Sequence, residues 1–208
     1  YRGKQMIVKN NKVIIKNVLS IKDYQQLKEV YESYDMPWLY NDGVSYIGDG
    51  EFQFVHPIWE NGIKPGPEWN TIIPILNVLS PFNIIKIKSN LRTKSPMLVE
   101  SGLHRDVFLP GSFTAIYYVN TCNGYTKWED GDKIESQANM LVVFPSNMRH
   151  LGTSCTDVNR RTVINFNYMP PVDHLDSDNN LIKTTNEIAM ALYSAEDIAY
   201  HTRWGNIA

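Results

Sequence analysis

Apolar positions along this chain switch between helical and strand periods, and the switches divide it into pieces. QMIVK and KVIIKNVL flank Asn10-Asn11 and read as a β-hairpin within residues 5–19. Ser20 followed three residues later by Asp23 is a box-like helix start. Ile21, Tyr24, Leu27, Val30, Tyr31 and Tyr34 then recur at helical spacing and predict an amphipathic helix over 21–34 with an aromatic core stripe. Periodicity fades through 35–67, where Gly, Pro and Asn accumulate around one short strand, EFQFVH. Trp69, Ile72, Ile73, Leu76 and Leu79 predict a second helix near 69–79, which requires Pro74 to fall in the first turn, and Pro81 ends it.

From residue 82 the period becomes two. NIIKIKSNL alternates Ile85 and Ile87 with Lys86 and Lys88, and strand patterns continue to about residue 169 with turn residues at regular intervals. That rhythm predicts a sandwich or barrel-like β fold. The tail begins with Pro170-Pro171 and a polar loop, and IAMALYSAEDIAYHTRW predicts a helix docked on the outside of the β core. No repeat or second-domain boundary interrupts the 208 residues, which suit one domain.

Composition narrows the class. Hydrophobic content of 43% and charged content of 20% are ordinary for a globular protein, and a net charge of −2 gives no general attraction to nucleic acid or membrane. No apolar run is long enough to span a bilayer, no signal peptide is recognised, and a cytoplasmic location is expected. Cys122 and Cys155 are widely spaced, so two free thiols in a reducing compartment are expected.

The candidate chemistry lies in GLHRD, LVVFPSNMRH and RRTVINFNY. Alternate residues of a strand share a face, so His104 and Asp106 would aim an imidazole and a carboxylate at one point while Arg105 faces away. His150, just after LVVFP, is the candidate third ligand. Two histidines and one carboxylate form a facial triad that leaves positions open on Fe(II), and the lack of a nearby thiolate argues against structural zinc. His174 and Asp176 repeat the spacing but lie in the Pro-led tail without the strands needed to assemble a site. Arg161 begins the strand after His150 and can grip a carboxylate bidentately. Arg160 is its competitor, because neighbours on a strand face opposite sides. Trp38, Tyr40, Tyr46 and Trp59 either floor a groove or pack the 35–66 loop, with packing preferred; that loop and the one at 89–96 are expected to shape the pocket. His56, among apolar neighbours, reads as a satisfied core histidine.

Taken together these residues resemble the 2-oxoglutarate/Fe(II)-dependent dioxygenase superfamily, nearest its prolyl 4-hydroxylase-like branch and of a phage type. NGYTKWEDG resembles the family's GGxTxF segment, with Trp128 as the aromatic. The resemblance implies a mainly β fold with flanking helices: a double-stranded β-helix (jelly roll, cupin-like) core at 82–169, N-terminal strands and helices (1–81) packed on one sheet, and a C-terminal tail (170–208). It implies His104, Asp106 and His150 as iron ligands, and Arg161 with Tyr118 as holders of the 2-oxoglutarate carboxylate. Fe(II), 2-oxoglutarate and O2 would be the cofactors and cosubstrates, and a peptide, possibly prolyl, or a small molecule would be hydroxylated with release of succinate and CO2. Two other readings share the scaffold: a non-catalytic jelly-roll module for a metal or ligand, and a nucleic-acid demethylase. The last would use the basic stretch Lys86, Lys88, Arg92, Lys94 and Arg105, but nucleic acid is not the expected partner.

Overall fold

A computed structural model describes residues 3–60, 66–170 and 187–192. The chain opens with the expected hairpin. Strands β1 (Gln5–Lys9) and β2 (Lys12–Lys16) pair antiparallel across Asn10 and Asn11, both with positive φ, as a two-residue hairpin turn demands. Helix α1 (Ile21–Glu32) starts at Ser20, whose hydroxyl accepts from the Asp23 N–H at 3.1 Å. It buries Leu27 and Tyr31 but leaves Ile21 exposed, and it ends before Tyr34, which is fully exposed. The aromatic stripe is therefore shorter than its period suggests.

The segment after α1 holds two strands rather than one, β3 (Leu39–Asn41) and β4 (Gln53–Trp59). Helix α2 (Glu68–Leu79) carries Pro74 in its interior rather than in its first turn. Pro74 has no N–H for the carbonyl of Asn70, a cost of about 3 kcal/mol or more. Burial of Ile72, Ile75 and Leu79 against the sheet offsets it, at roughly 1.5–3 kcal/mol each. Ser80, in the left-handed conformation, caps the helix by donating its N–H to Leu76 O at 2.7 Å.

Seven further strands follow: β5 (Asn83–Thr93), β6 (Phe113–Tyr118), β7 (Tyr125–Trp128), β8 (Lys133–Glu135), β9 (Met140–Pro145), β10 (His150–Gly152) and β11 (Arg160–Met169). They complete an eight-stranded antiparallel sheet ordered β1-β2-β9-β6-β11-β5-β4-β3 and a small sheet ordered β10-β7-β8. This is the mainly β, jelly-roll architecture with helices on one sheet that the sequence pattern implied. Strand β5 runs through Thr93, so most of the expected 89–96 loop is strand.

Period-two alternation sorts the large sheet's side chains into two cores. Ile87, Ala115, Tyr117, Leu141, Val143, Ile164 and Phe166 face α1, α2 and the short helix α3 (Glu187–Leu192). Ile116, Tyr118, Met140, Val142, Phe144 and Val163 face inward with Trp128 of the small sheet. Of the expected tail helix the described part is α3, and its Ile188, Ala189 and Leu192 are buried in the helix-side core. The remainder, with His174 and Asp176, lies outside the described residues. Among the described residues no helix is long and apolar enough to cross a membrane.

Candidate active site

The segment between β5 and β6 delivers two of the candidate ligands. It is not the regular strand that the HxD alternation implies. It runs antiparallel to β10 and touches it through isolated bridges, Glu100 with Thr153 and His104 with His150. At the second bridge the two histidines exchange both backbone hydrogen bonds, at 2.9 and 3.0 Å. Asp106 follows on an irregular stretch, yet the side chains of 104 and 106 still converge. Arg105 turns away and donates Nε to Asn147 O at 2.7 Å.

His104, Asp106 and His150 place one potential ligand atom each within 4.8 Å of one another. The Nε2 of His104 is 3.8 Å from Asp106 Oδ1 and that of His150 is 3.7 Å from Asp106 Oδ2. Each Nδ1 faces a backbone carbonyl, Gly102 O at 2.9 Å for His104 and Met148 O at 3.4 Å for His150. A carbonyl only accepts, so both Nδ1 atoms carry the proton and both Nε2 lone pairs point toward the carboxylate. Phe144 packs edge-on against His150 at 4.9 Å. Asp106 is reached by Asn167 Nδ2 at 3.5 Å, and that amide also donates to Thr114 Oγ1 at 3.0 Å.

Burial pushes the Asp106 carboxyl up, but His150, Lys88 and His104 outweigh it and hold the acid below its ordinary range. Burial lowers His150, which favours the neutral, metal-binding imidazole. The donor set of two bare imidazole nitrogens and one ionised carboxylate fits a divalent metal with positions left open, Fe(II) foremost.

Arg161, not Arg160, points into the protein. It is 5% exposed, and it donates Nε to Ser136 Oγ at 2.7 Å and Nη2 to Thr126 Oγ1 at 3.1 Å, with Nη1 at 3.5 Å from Thr153 O. Among the described residues every one of these partners is neutral, so the buried guanidinium has no counter-ion. Two glycines make room for it. A Cβ on Gly124 would lie 2.6 Å from Arg161 Cδ and 2.5 Å from Ser154 O; one on Gly152 would lie 3.2 Å from Arg161 Nη1. Tyr118 is fully buried with Arg161 over its ring at 5.7 Å, and its hydroxyl donates to Thr126 Oγ1 at 2.9 Å. That hydroxyl supports the arginine cluster and does not line the cavity.

A cavity of about 520 Å³, counted with its open mouth, joins the triad to Arg161. Its walls include Ile116, Leu151 and Val163, and its polar lining adds Lys88, Asn90, Arg92 and Asn165. Asn90, Asn165, Asn167 and Ser136 do not stand out in the sequence. Lys88 and Arg92 belong to what reads as a basic stretch, but they turn into the cavity. Of their companions, Lys86 pairs with Glu60 at 2.6 Å. Lys94 and Arg105 are exposed, so the five do not form one continuous surface stripe. Trp38 packs with Tyr31, Trp59 with Trp69, and Tyr40 with Phe52 and Phe54; Tyr46 is exposed. None of the four lines the cavity. His56 is buried as expected, with Nδ1 3.0 Å from Pro37 O, but its Nε2, 3.3 Å from Glu68 Oε1, makes no hydrogen bond among the described residues and so is not fully satisfied. Cys122 and Cys155 are free and buried.

No protein-family model matches the sequence, and no curated protein sequence does. Solved structures do match the fold. A prolyl-4-hydroxylase from Pseudomonas putida is 12% identical and aligns over 77% of this chain and 94% of its own with a TM-score of 0.54. A prolyl hydroxylase from Trichoplax adhaerens, in complex with a peptide fragment of hypoxia inducible factor, is 18% identical over 77% of this chain and 84% of its own, with a TM-score of 0.54. HygX from Streptomyces hygroscopicus, with nickel and 2-oxoglutarate bound, is 11% identical over 81% and 89%, with a TM-score of 0.52. The chain therefore has the fold of the 2-oxoglutarate/Fe(II) oxygenases.

Proposed function

We propose that this protein is an Fe(II)- and 2-oxoglutarate-dependent dioxygenase that hydroxylates a small molecule or a peptide. The observation that carries the proposal is one cavity with a convergent His104, Asp106, His150 triad at one end and the uncompensated Arg161 at the other. When bound, iron and 2-oxoglutarate would supply the oxygen-dependent oxidation of a C–H bond, with succinate and CO2 as by-products. The chain's own part is positional. Gly102 and Met148 carbonyls fix the imidazole tautomers, and Asn167 steadies Asp106. Arg161, held by Ser136 and Thr126, would take the distal carboxylate of 2-oxoglutarate as the counter-ion it otherwise lacks. Ile116, Leu151 and Val163 line the space between and keep bulk water from it.

The test is oxygen-dependent conversion of 2-oxoglutarate to succinate by the protein reconstituted with Fe(II). His104→Ala and Asp106→Ala should abolish it. Turnover persisting in either variant refutes the assignment, and metal binding without any turnover in the wild type would favour a non-catalytic module instead.

A further inference from the structure

The cavity holds more positive charge than the proposed cofactors need. Lys88, Arg92 and Arg161 all line it, and the neighbouring carboxylates are Asp106 and Glu51. Both histidines are neutral when they ligate a metal. A divalent ion and a doubly charged 2-oxoglutarate cancel; Arg161 then has the cosubstrate and Arg92 has Glu51. Lys88, whose pKa burial lowers against the pull of Asp106 and Glu60, adds a third basic group to the same space. Burying an uncompensated charge is costly, and sites that do so are built for an ion of opposite sign.

Arg92, although paired with Glu51, brings an unpartnered donor to the same wall. It is the direct cross-strand partner of Arg161 in the β5–β11 register, so the two guanidinium groups share one face of the sheet. Like charges directly opposite one another destabilise a strand pair. Arg92 is 7% exposed; its Nη2 pairs with Glu51, while Nη1 is buried and has no hydrogen-bond partner. Further along the same face of β5, Asn90 Oδ1 is also buried and unpartnered, as is Asn165 Oδ1 on β11. Lys88 closes the row beside Asp106, whose charge acts on it, and burial lowers its pKa. Native proteins leave few such atoms unsatisfied, and three of the seven among the described residues line this cavity. Arg161, by contrast, has its own set of neutral partners on the other side.

Resting on the function proposed above, we propose that the substrate is a small molecule with a free carboxylate, gripped by Arg92, its body lying along Asn90, Asn165 and Lys88 toward the triad. From Arg92 to Lys88 is four residues of strand, about 13 Å. A ligand held at Arg92 and reaching along this wall to Lys88 is a compact acid rather than a long chain. The apolar patches of Ile116 and Val163 between the polar groups suit an aliphatic or cyclic middle.

The experiment uses the full chain loaded with Mn(II), which occupies a 2-oxoglutarate-oxygenase site without turnover, and reads binding by calorimetry. 2-Oxoglutarate is titrated first; failure of the wild type to bind it counts against the proposed function itself. L-Proline, L-leucine and hexanoate are then titrated into the loaded complex, each against its primary amide. At least one acid should bind ~10-fold or more tighter than its amide, the scale expected of a charge-assisted contact. Arg92→Met should remove that preference while leaving the 2-oxoglutarate affinity within about 3-fold, which also shows that the variant is folded. Glu51→Gln, which frees Nη2 without removing the guanidinium, should keep or increase the preference. The inference is overturned if no acid outcompetes its amide, or if Arg92→Met weakens 2-oxoglutarate as much as Arg161→Met does; the second result would make Arg92 part of the cosubstrate grip.

Discussion

Gly124→Ala gives a severe test of how Arg161 is held. A methyl there would sit 2.6 Å from Arg161 Cδ and 2.5 Å from the Ser154 carbonyl oxygen, where ordinary contacts are roughly 3.4–4 Å. About 1 Å of movement is therefore needed. The Ser154 backbone is tied on both sides, by its N–H to Val99 O and by its hydroxyl to Ser95 and Val99, so the arginine is the softer partner. Displacing Cδ draws Nε away from Ser136 Oγ, now at 2.7 Å, and Nη2 away from Thr126 Oγ1, now at 3.1 Å. Overpacking alone costs about 1–3 kcal/mol of stability. Misplacing one charge-assisted pair costs about 1.5–3 kcal/mol of binding, which corresponds to roughly 10- to 150-fold. Calorimetric titration of 2-oxoglutarate into the Mn(II)-loaded variant should show a Kd raised at least ~10-fold with metal affinity unchanged. Gly152→Ala, whose methyl would meet Nη1 at 3.2 Å, should perturb the same guanidinium less severely. A folded Gly124→Ala protein with wild-type affinity for 2-oxoglutarate would refute the placement of Arg161 as cosubstrate holder.

Three other perturbations have definite outcomes. Tyr118→Phe removes the hydroxyl that bonds Thr126, one neutral hydrogen bond from the arginine cluster; it should weaken 2-oxoglutarate only about 2- to 10-fold, less than Arg161→Lys in the same titration. Asn139→Ala strips the partners from both the N–H and the carbonyl of buried Leu19, bonded at 2.9 and 3.0 Å, and should lower stability by about 2–3 kcal/mol in urea denaturation. Burial pushes the Cys155 thiol up to about 11; a raised pKa keeps the thiol protonated below that value, leaving ~0.1% thiolate at pH 8. Disulfide-exchange labelling at pH 8 should therefore miss Cys155 in the native protein and find it after denaturation, with reactivity climbing as pH approaches 11.

The sequence exposes the parts of the site whose chemistry restricts residue choice. Metal ligation needs His and Asp, and carboxylate binding needs Arg, so His104, Asp106, His150 and Arg161 stand out by type and spacing. The groups that support them are ordinary residues. Thr126 on β7, Ser136 just past β8 and Thr153 just past β10 surround Arg161, and only the register of those three strands brings them together. Lys88 illustrates a different blindness. Period two separates the faces of β5, but a polar face turned toward solvent and one turned into a cavity read alike. Pro74 misled because a local rule was outweighed by burial of Ile72, Ile75 and Leu79. The HRD segment misled in the opposite sense: its ligands converge as alternation implies, without a regular strand.

That last feature bears on how the site would respond to its metal. His104 and His150 are joined backbone to backbone, so the separation of the two imidazoles is set by the sheet rather than by side-chain search. Asp106 lies beyond the bridge, on an irregular stretch, so its backbone is not tied to β10 as that of His104 is. Metal binding should therefore act as a staple on one side only, slowing amide exchange most at residues 105–108 and least within β10.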